Sequence, residues 1–191
     1  MPLIKKIKDV KQHHAITKVL LDIPNGGTLA IADLTQHTLA EGIPVGFSNA
    51  DGLYHVIKTA TIATKSASDA TTYVVEKGHN FKVGDIVMLK ASSKAYEITS
   101  IETNATSAKN DDITLGTSLG VANVGDVLIL ADKSGASNSD YKYKPVGLTS
   151  YAINVVPNAT IGIMVSGQIY QNKCQPLGAV VSALPLIHVL N

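Results

Sequence analysis

The chain has 191 residues, of which 45% are hydrophobic and 16% are charged, a balance typical of globular rather than disordered proteins. All of its basic residues are lysines, and the net charge is only +1. Because arginine supplies most bidentate contacts to bases and phosphates, this composition argues against sequence-specific nucleic-acid binding. With no tryptophan and two phenylalanines, the core is expected to consist of Val, Ile, Leu and Ala.

The N-terminal segment is locally basic, and the sequence leaves its structure open between a strand and a short helix over residues 10–21. Five lysines make it either a solvated arm or a tether that docks on an acidic partner surface. These are Lys5, Lys6, Lys8, Lys11 and Lys18. Neither this end nor the aliphatic stretch 179–190 is apolar enough to span a membrane, and no signal peptide is predicted. We therefore expect a soluble protein from a reducing compartment.

The next segment carries turn and hairpin signals. Residues 24–27, Pro-Asn-Gly-Gly, predict a turn, and residues 28–34 predict a short strand. Two apolar runs, 39–47 and 53–57, are joined by a turn that ends in Asp-Gly, which predicts a β-hairpin. Pro44 cannot donate a hydrogen bond, so its strand should lie at a sheet edge or begin there.

A repeated Val-Gly-Asp triplet organises the middle of the chain. It begins at Val83 and again at Val124, 41 residues later, and each copy is followed by a short aliphatic run. Gly-Asp before such a run is turn chemistry that leads the chain into a strand. Residues 95–101 and 113–115 between the copies also resemble strands, so this block predicts a small β-barrel or sandwich.

Two segments rich in small polar residues, 63–70 and 133–140, bracket this block like linkers. Such a pattern is typical of an inserted domain. We therefore predict a mainly β protein in which residues 1–64 and 141–191 form one discontinuous domain and residues 65–140 form an inserted domain.

The C-terminal part continues the β pattern. Residues 152–156 and 161–165 predict strands separated by a turn at residues 157–160. Helix signals are scarce, and the modest candidates are residues 31–39 and residues 177–184, the latter stopped by Pro185.

Ligands for metals and redox groups are not arranged in recognisable motifs. The six histidines form no His-x-x-x-His or Glu-x-x-His pair on a predicted helix, and the single cysteine, Cys174, can form no disulfide within the chain. No histidine lies near Cys174 in sequence, so we interpret it as a bystander thiol and not as a nucleophile. No metal and no cofactor are predicted.

One hypothesis for an enzyme is that Asp85 and Asp126 of the two triplets act as the carboxylate pair of a glycosidase. The alternative is that each aspartate caps its own turn by accepting backbone hydrogen bonds. The prediction is that the protein is not an enzyme.

The outer segments resemble phage head decoration proteins, including head fibre proteins. The resemblance lies in the Glu-Gly-Ile-Pro-Val-Gly strand at residues 41–46, the Asp-Gly turn and aromatic strand at 50–56, and the strands at 145–153 and 161–170. It implies a decoration-like β domain that carries an outward-facing inserted domain.

The resemblance also implies a function. Proteins of this kind are virion structural components made in the host cytoplasm, and they bind the outer surface of an icosahedral capsid, commonly as trimers. The expected partner is the major capsid protein, with the five N-terminal lysines as candidate contacts. A protein that binds the assembled shell better than free subunits stabilises that shell by mass action.

Two other functions remain open, a different virion part such as a fibre base or tail module, and a carbohydrate-binding module. Sugar faces stack on exposed aromatic rings, so exposed tyrosines near the inserted block would favour the latter. Tyr141 and Tyr143 are the candidate ligand-facing residues, whereas Tyr73 and Tyr96 are expected in the core.

Overall fold

The computed structural model describes residues 14–34, 36–103, 105 and 107–190. The chain is 47% strand and 5% helix, which confirms the prediction of a mainly β protein. The strands in chain order are β1 (Ile16–Asp22), β2 (Gly27–Thr28), β3 (Thr38–Leu39), β4 (Pro44–Phe47), β5 (Tyr54–Val56), β6 (Thr59–Thr61), β7 (Thr72–Glu76), β8 (Ile86–Met88), β9 (Ser93–Thr103), β10 (Asn110–Leu115), β11 (Val127–Leu130), β12 (Gly135–Ser139), β13 (Lys144–Thr149), β14 (Ile153–Asn154), β15 (Thr160–Ile161), β16 (Ile163–Tyr170) and β17 (Ile187–Leu190). Two 3₁₀ helices, Gln171–Lys173 and Gly178–Ala183, precede β17.

Two large sheets dominate the described residues. The first has the order β1-β16-β13-β4-β5. Strand β17 is an additional partner of β16 and runs parallel to it. The second has the order β6-β11-β8-β9-β10-β7, with β12 beside β9. Two small pairs, β2 with β15 and β3 with β14, complete the architecture.

The second sheet curls into a half-barrel. Its end strands β6 and β7 approach each other through a bridge between Ile62 and Val75. Next to this bridge, the Ala63 N–H donates to the Val74 carbonyl at 2.8 Å. The curl encloses alternate side chains of its strands, as the period of two in a strand dictates. The buried residues inside it include Tyr73, Val75, Ile98, Ile113, Leu115, Leu128 and Leu130.

One apolar cluster joins the two large sheets. Strand β11 is buried on both faces, because Leu128 and Leu130 point into the half-barrel whereas Val127 and Ile129 point toward the first sheet. This explains its uninterrupted Val-Leu-Ile-Leu sequence, which is typical of a strand buried on both sides. The shared cluster contains Ile57, Met88, Ala95, Val127, Ile129, Ala131, Leu148, Met164, Ile169, Leu177, Val180, Leu184 and Ile187. The division into an outer and an inserted domain stays a prediction, but the two sheets pack on one core.

Several local predictions in the N-terminal part are confirmed. The turn at residues 24–27 is present, with positive φ at Asn25 (64°) and Gly26 (67°). The hairpin is formed by β4 and β5, with Val45 paired to Val56, and β4 begins at Pro44 as expected. The segment left open between helix and strand is the strand β1 from Ile16 onward; its residues 10–13 lie outside the described residues.

Three local predictions are wrong. The strand predicted over residues 28–34 is only the two-residue β2, Gly27–Thr28. The chain turns soon after it, where the Leu34 N–H donates to the Ile31 carbonyl at 3.0 Å. For the same reason no helix forms over the described part of residues 31–39. The presumed linker 133–140 contains β12, which pairs with β9. Small polar residues can form such a strand because the pairing needs only backbone groups and most of these side chains stay in solvent.

The C-terminal predictions are largely confirmed. Strands β14, β15 and β16 lie on either side of a turn in which Asn158 has a φ of 60°. The helix candidate at residues 177–184 is the 3₁₀ helix Gly178–Ala183, which buries Val180 in the shared core.

Candidate binding surfaces

The two Val-Gly-Asp turns have the same geometry. Gly84 and Gly125 adopt φ values of +92° and +90°, a conformation that favours glycine. The Asp85 carboxylate accepts a hydrogen bond from the Lys82 N–H at 2.9 Å. The equivalent Asp126 carboxylate accepts one from the Asn123 N–H at 2.7 Å. The prediction that each aspartate caps its own turn is therefore confirmed.

The same turns cannot bring their carboxylates together. Strands β8 and β11 are antiparallel neighbours, with Val87 paired to Leu130 and Met88 to Ile129. Each turn precedes its strand, so the two turns lie at opposite ends of the pair. From this register, Asp85 and Asp126 are roughly 20 Å apart along the strands. A glycosidase pair needs a separation of about 5–9.5 Å, so this arrangement does not provide one.

Asp85 differs from Asp126 in having a buried cationic partner. Lys58 Nζ lies 2.7 Å from Asp85 Oδ2, and the two side chains are 3% and 12% exposed. Lys58 lies between β5 and β6, where the chain passes from the first sheet to the second, and its carbonyl accepts the Leu130 N–H at 3.0 Å. Sequence reasoning missed this pair, although a lone lysine in the apolar run Val-Ile-Lys-Thr-Ala is a signal that could have pointed to it.

The N-terminal lysine segment joins the fold at a fixed point. Ala15 is buried, and its N–H donates to Glu41 Oε1. His14 Nδ1 lies 3.4 Å from the other oxygen of the same carboxylate. Lys18 is exposed on β1. The remaining candidate contacts, Lys5, Lys6, Lys8 and Lys11, lie outside the described residues.

Strand β1 forms one edge of the first sheet among the described residues. All six side chains from Thr17 to Asp22 are exposed. Val19, Leu20 and Leu21 are 44%, 61% and 55% exposed. The pairing of β1 with β16 is irregular between Ile16 and Lys18, between Val19 and Leu21, and between Leu21 and Asp22. Such irregularities break the alternation of side chains along a strand, so three consecutive aliphatic side chains lie exposed here beside the charged Lys18 and Asp22.

Tyr141, one of the two candidate ligand-facing residues, is half-buried. Its hydroxyl donates to the Ala179 carbonyl at 3.0 Å, and burial raises the pKa of the phenol. It lines a cavity of about 320 Å³ together with Asp140, Lys144 and Pro145. The ring therefore serves first as a contact to the 3₁₀ helix that packs on the shared core.

Tyr143, the second candidate, is half-buried, and one face of its ring is covered. The His55 imidazole stacks on it with ring centroids 3.9 Å apart and planes 13° from parallel. The Lys142 ammonium lies over the same ring, 5.7 Å from its centroid. Burial raises the pKa of the Tyr143 phenol. The remaining tyrosine candidates follow the prediction that they belong to the core, since Tyr73 is fully buried and Tyr96 packs against the interior of the half-barrel.

Tyr143 also lines an open cleft of about 540 Å³. Asp51 lies at this cleft and contacts His55 Nε2 through its carboxylate at 2.9 Å. A hydrogen bond from the Leu53 N–H lowers the pKa of Asp51. The carboxylate thus orients the imidazole that covers Tyr143, and the arrangement holds an internal aromatic pair in place.

The histidines and the cysteine form no metal centre in the part of the chain that the structure describes. The His79 side chain is 6% exposed, its Nε2 lies 3.4 Å from Asp111 Oδ2, and burial lowers the pKa of the imidazole. Cys174 is half-buried, and burial raises the pKa of its thiol to about 11. The thiol is therefore protonated at neutral pH, which agrees with its interpretation as a bystander.

Within the described ranges, no helix is both long and apolar enough to cross a membrane. Comparison of the chain with protein-family models, with curated proteins and with solved structures finds no match in any of the three.

Proposed function

We propose that the protein is a virion structural protein that binds the outer surface of an icosahedral phage capsid and stabilises the assembled shell. The observation that carries this proposal is the exposed apolar edge strand β1, which follows directly on a lysine-bearing segment. A strand edge can associate with another protein, and lysines can pair with acidic groups on it. Both features suit a protein that acts through contacts with other proteins.

The location of the family-like motifs supports the same proposal. The segments that resemble head decoration proteins supply β4, β5, β13 and β16, which are all members of the first sheet. The lysine-bearing segment enters this sheet through β1. In the proposed arrangement, the first sheet faces the capsid and the half-barrel faces outward, with three chains assembling where capsid subunits meet.

The mechanism follows from linkage. A protein that binds the assembled shell and has lower affinity for free capsid subunits shifts the equilibrium toward the shell by RT ln(1 + [L]/Kd) per site. Contacts made by exposed lysines weaken as the salt concentration rises, because the Debye length falls to about 8 Å at physiological ionic strength. Stabilisation of the shell should therefore decrease in high salt.

Co-sedimentation with expanded shells of the major capsid protein from the same genome tests this proposal. The test variant replaces Lys5, Lys6, Lys8 and Lys11 with glutamine. The matched control makes the same four changes at exposed lysines of the half-barrel side: Lys65, Lys90, Lys109 and Lys133. We expect saturable binding at a fixed ratio to capsid subunits, loss of binding in the test variant and unchanged binding in the control.

Failure of the wild-type protein to bind expanded shells would overturn the proposal. The same surfaces would then have to serve another virion part, such as a fibre base or a tail module. The carbohydrate-binding alternative stays open at Tyr141 and Tyr143, which are half-buried and line surface cavities. Tyr73 is excluded from such a role because it is fully buried.

A further inference from the structure

The sequence of β1 is complementary to itself. Around Leu20, the flanking residues are aliphatic on both sides, Val19 and Leu21, and the next pair carries opposite charges, Lys18 and Asp22. When a strand pairs with its own copy in antiparallel orientation, residues equidistant from the centre face each other. In regular pairing, a two-fold axis through Leu20 places Lys18 opposite Asp22 of the second copy, twice in the same contact. Because β1 has register shifts against β16 across Leu20 and next to Asp22, this contact requires residues 18–22 to straighten when the second copy binds.

We propose that β1 is a two-fold contact surface on which β1 of a second copy of this chain pairs in antiparallel orientation, with Leu20 at the axis. The contact would cover the exposed side chains of Val19, Leu20 and Leu21, which are 44%, 61% and 55% exposed in the single chain. It would also give backbone partners to the free edge of the first sheet. This inference does not depend on capsid binding. If both contacts form, the second copy covers the edge of β1, and the capsid contact is made by the lysines that precede β1 and by other parts of the first sheet.

The charges select a single register. If the second strand slides by one residue, Lys18 faces Leu21 or Ile23, and if it slides by two residues, it faces Leu20 or Pro24. Only the register centred on Leu20 gives two opposite-charge pairs, whose Cβ atoms would lie about 4.5–5.5 Å apart. Lys18 and Asp22 are both exposed, and neither forms an ion pair with another described residue.

Strand β1 lies close against its neighbour β16 at Gly167. Val19 pairs with Gly167 of β16, and the Gly167 N–H donates to the Leu186 carbonyl at 3.2 Å. Gly167 has no side chain, and a Cβ there would lie 2.3 Å from the Lys18 carbonyl oxygen. Leu186 is itself 56% exposed.

The proposal assigns Lys18 to contact between copies and leaves the lysines that precede it for other partners. A two-fold contact joins two chains, and it can do so whether or not each chain also belongs to a three-fold assembly. If the three-fold assembly forms as well, the two-fold contact joins these three-chain assemblies in pairs.

Sedimentation equilibrium of the purified full chain, without any capsid protein, tests the contact. The variants are Lys18→Asp, Asp22→Lys and the double exchange Lys18→Asp with Asp22→Lys. Each single change places two like-charged pairs across the axis and should raise the dissociation constant about tenfold or more, whereas the double exchange restores both pairs. The matched control makes the same reversals at exposed Lys65 and Asp69 and should leave the dissociation constant unchanged.

A cross-link reports the register directly. In a Cys174→Ala background, Leu20→Cys should form an intermolecular disulfide under mild oxidation, since a residue at the axis faces its own copy. Thr17→Cys should not, because the register places it opposite Ile23 and roughly 20 Å from its own copy. This readout does not depend on the effect of charge reversal.

Three results would overturn the proposal. The first is a wild-type chain that stays monomeric up to about millimolar concentration, a range in which even a weak specific contact associates. The second is an assembly whose dissociation constant does not respond to the single reversals or is not restored by the double exchange. The third is association that appears only after deletion of residues 1–13, which would show that this segment covers β1 in the intact chain.

Discussion

The buried ion pair of Lys58 and Asp85 gives a sharp prediction about how the two sheets are held together. The substitution Asp85→Asn removes the negative charge but keeps an oxygen that can accept the Lys82 N–H, now bonded at 2.9 Å. It leaves the Lys58 ammonium, whose side chain is 3% exposed, without its charged partner at 2.7 Å. Loss of one member of a buried ion pair costs about 3–5 kcal/mol of unfolding free energy. Because Asp85 is 12% exposed, we expect a value near the lower limit.

The second Val-Gly-Asp turn supplies a matched control. Asp126 caps its turn at 2.7 Å in the same way, but it is exposed and has no lysine partner among the described residues. Asp126→Asn should therefore lower the unfolding free energy by less than about 1 kcal/mol.

Urea denaturation followed by tyrosine fluorescence and circular dichroism measures both variants. Equal destabilisation by Asp85→Asn and Asp126→Asn would refute the reasoning, because it would show that the ion pair adds nothing to the turn. The double variant Lys58→Met with Asp85→Asn gives a further check. It should be less destabilised than the sum of the two single changes, since it leaves no unpaired buried charge.

The remaining predictions concern cooperativity and two buried groups. Because one apolar cluster joins the sheets, calorimetry should show a single unfolding transition with equal calorimetric and van't Hoff enthalpies; two separate transitions would show that residues 65–140 fold independently. Since burial raises the pKa of Cys174 to about 11, its alkylation rate should rise about tenfold per pH unit up to that value, and a plateau below pH 9 would contradict the burial argument. Burial lowers the pKa of His79 from 6.5 in the folded state, so the unfolded chain binds this proton more readily. The stability from neutral His79 is present above pH 6.5 and is lost as the pH falls below that value. The difference in unfolding free energy between wild type and His79→Gln should shrink over that range, and a constant difference would contradict it.

The turns were accessible from sequence because their chemistry is local. Positive φ at Asn25 and Gly84, and an aspartate that bonds the backbone three residues before it, depend on a few adjacent residues. The hairpin of β4 and β5 could be predicted for the same reason, since a short turn sets its register. The buried strand β11 was visible in its continuous aliphatic run.

The features that the sequence did not predict depend on contacts between segments that are distant along the chain. Strand β12 has the composition of a linker, and only its partner β9 makes it a strand. The ion pair between Lys58 and Asp85 joins residues 27 positions apart, and no local pattern states that they meet. The accessibility of the candidate tyrosine rings could not be predicted either. His55 of β5 stacks on Tyr143, which lies just before β13 and is distant from His55 in sequence.

The sequence by itself determined that this protein is mainly β, where its main turns lie and which residues of β1 carry charge and aliphatic side chains. Only the tertiary structure decided that the second sheet curls, that both sheets share one core and that β1 lies exposed at a sheet edge. The physical reason is that turn geometry and side-chain alternation are set by neighbours along the chain, whereas strand pairing and burial are set by segments distant in sequence. The exposure of the β1 side chains, which makes this strand a candidate contact surface, is likewise set by segments distant in sequence.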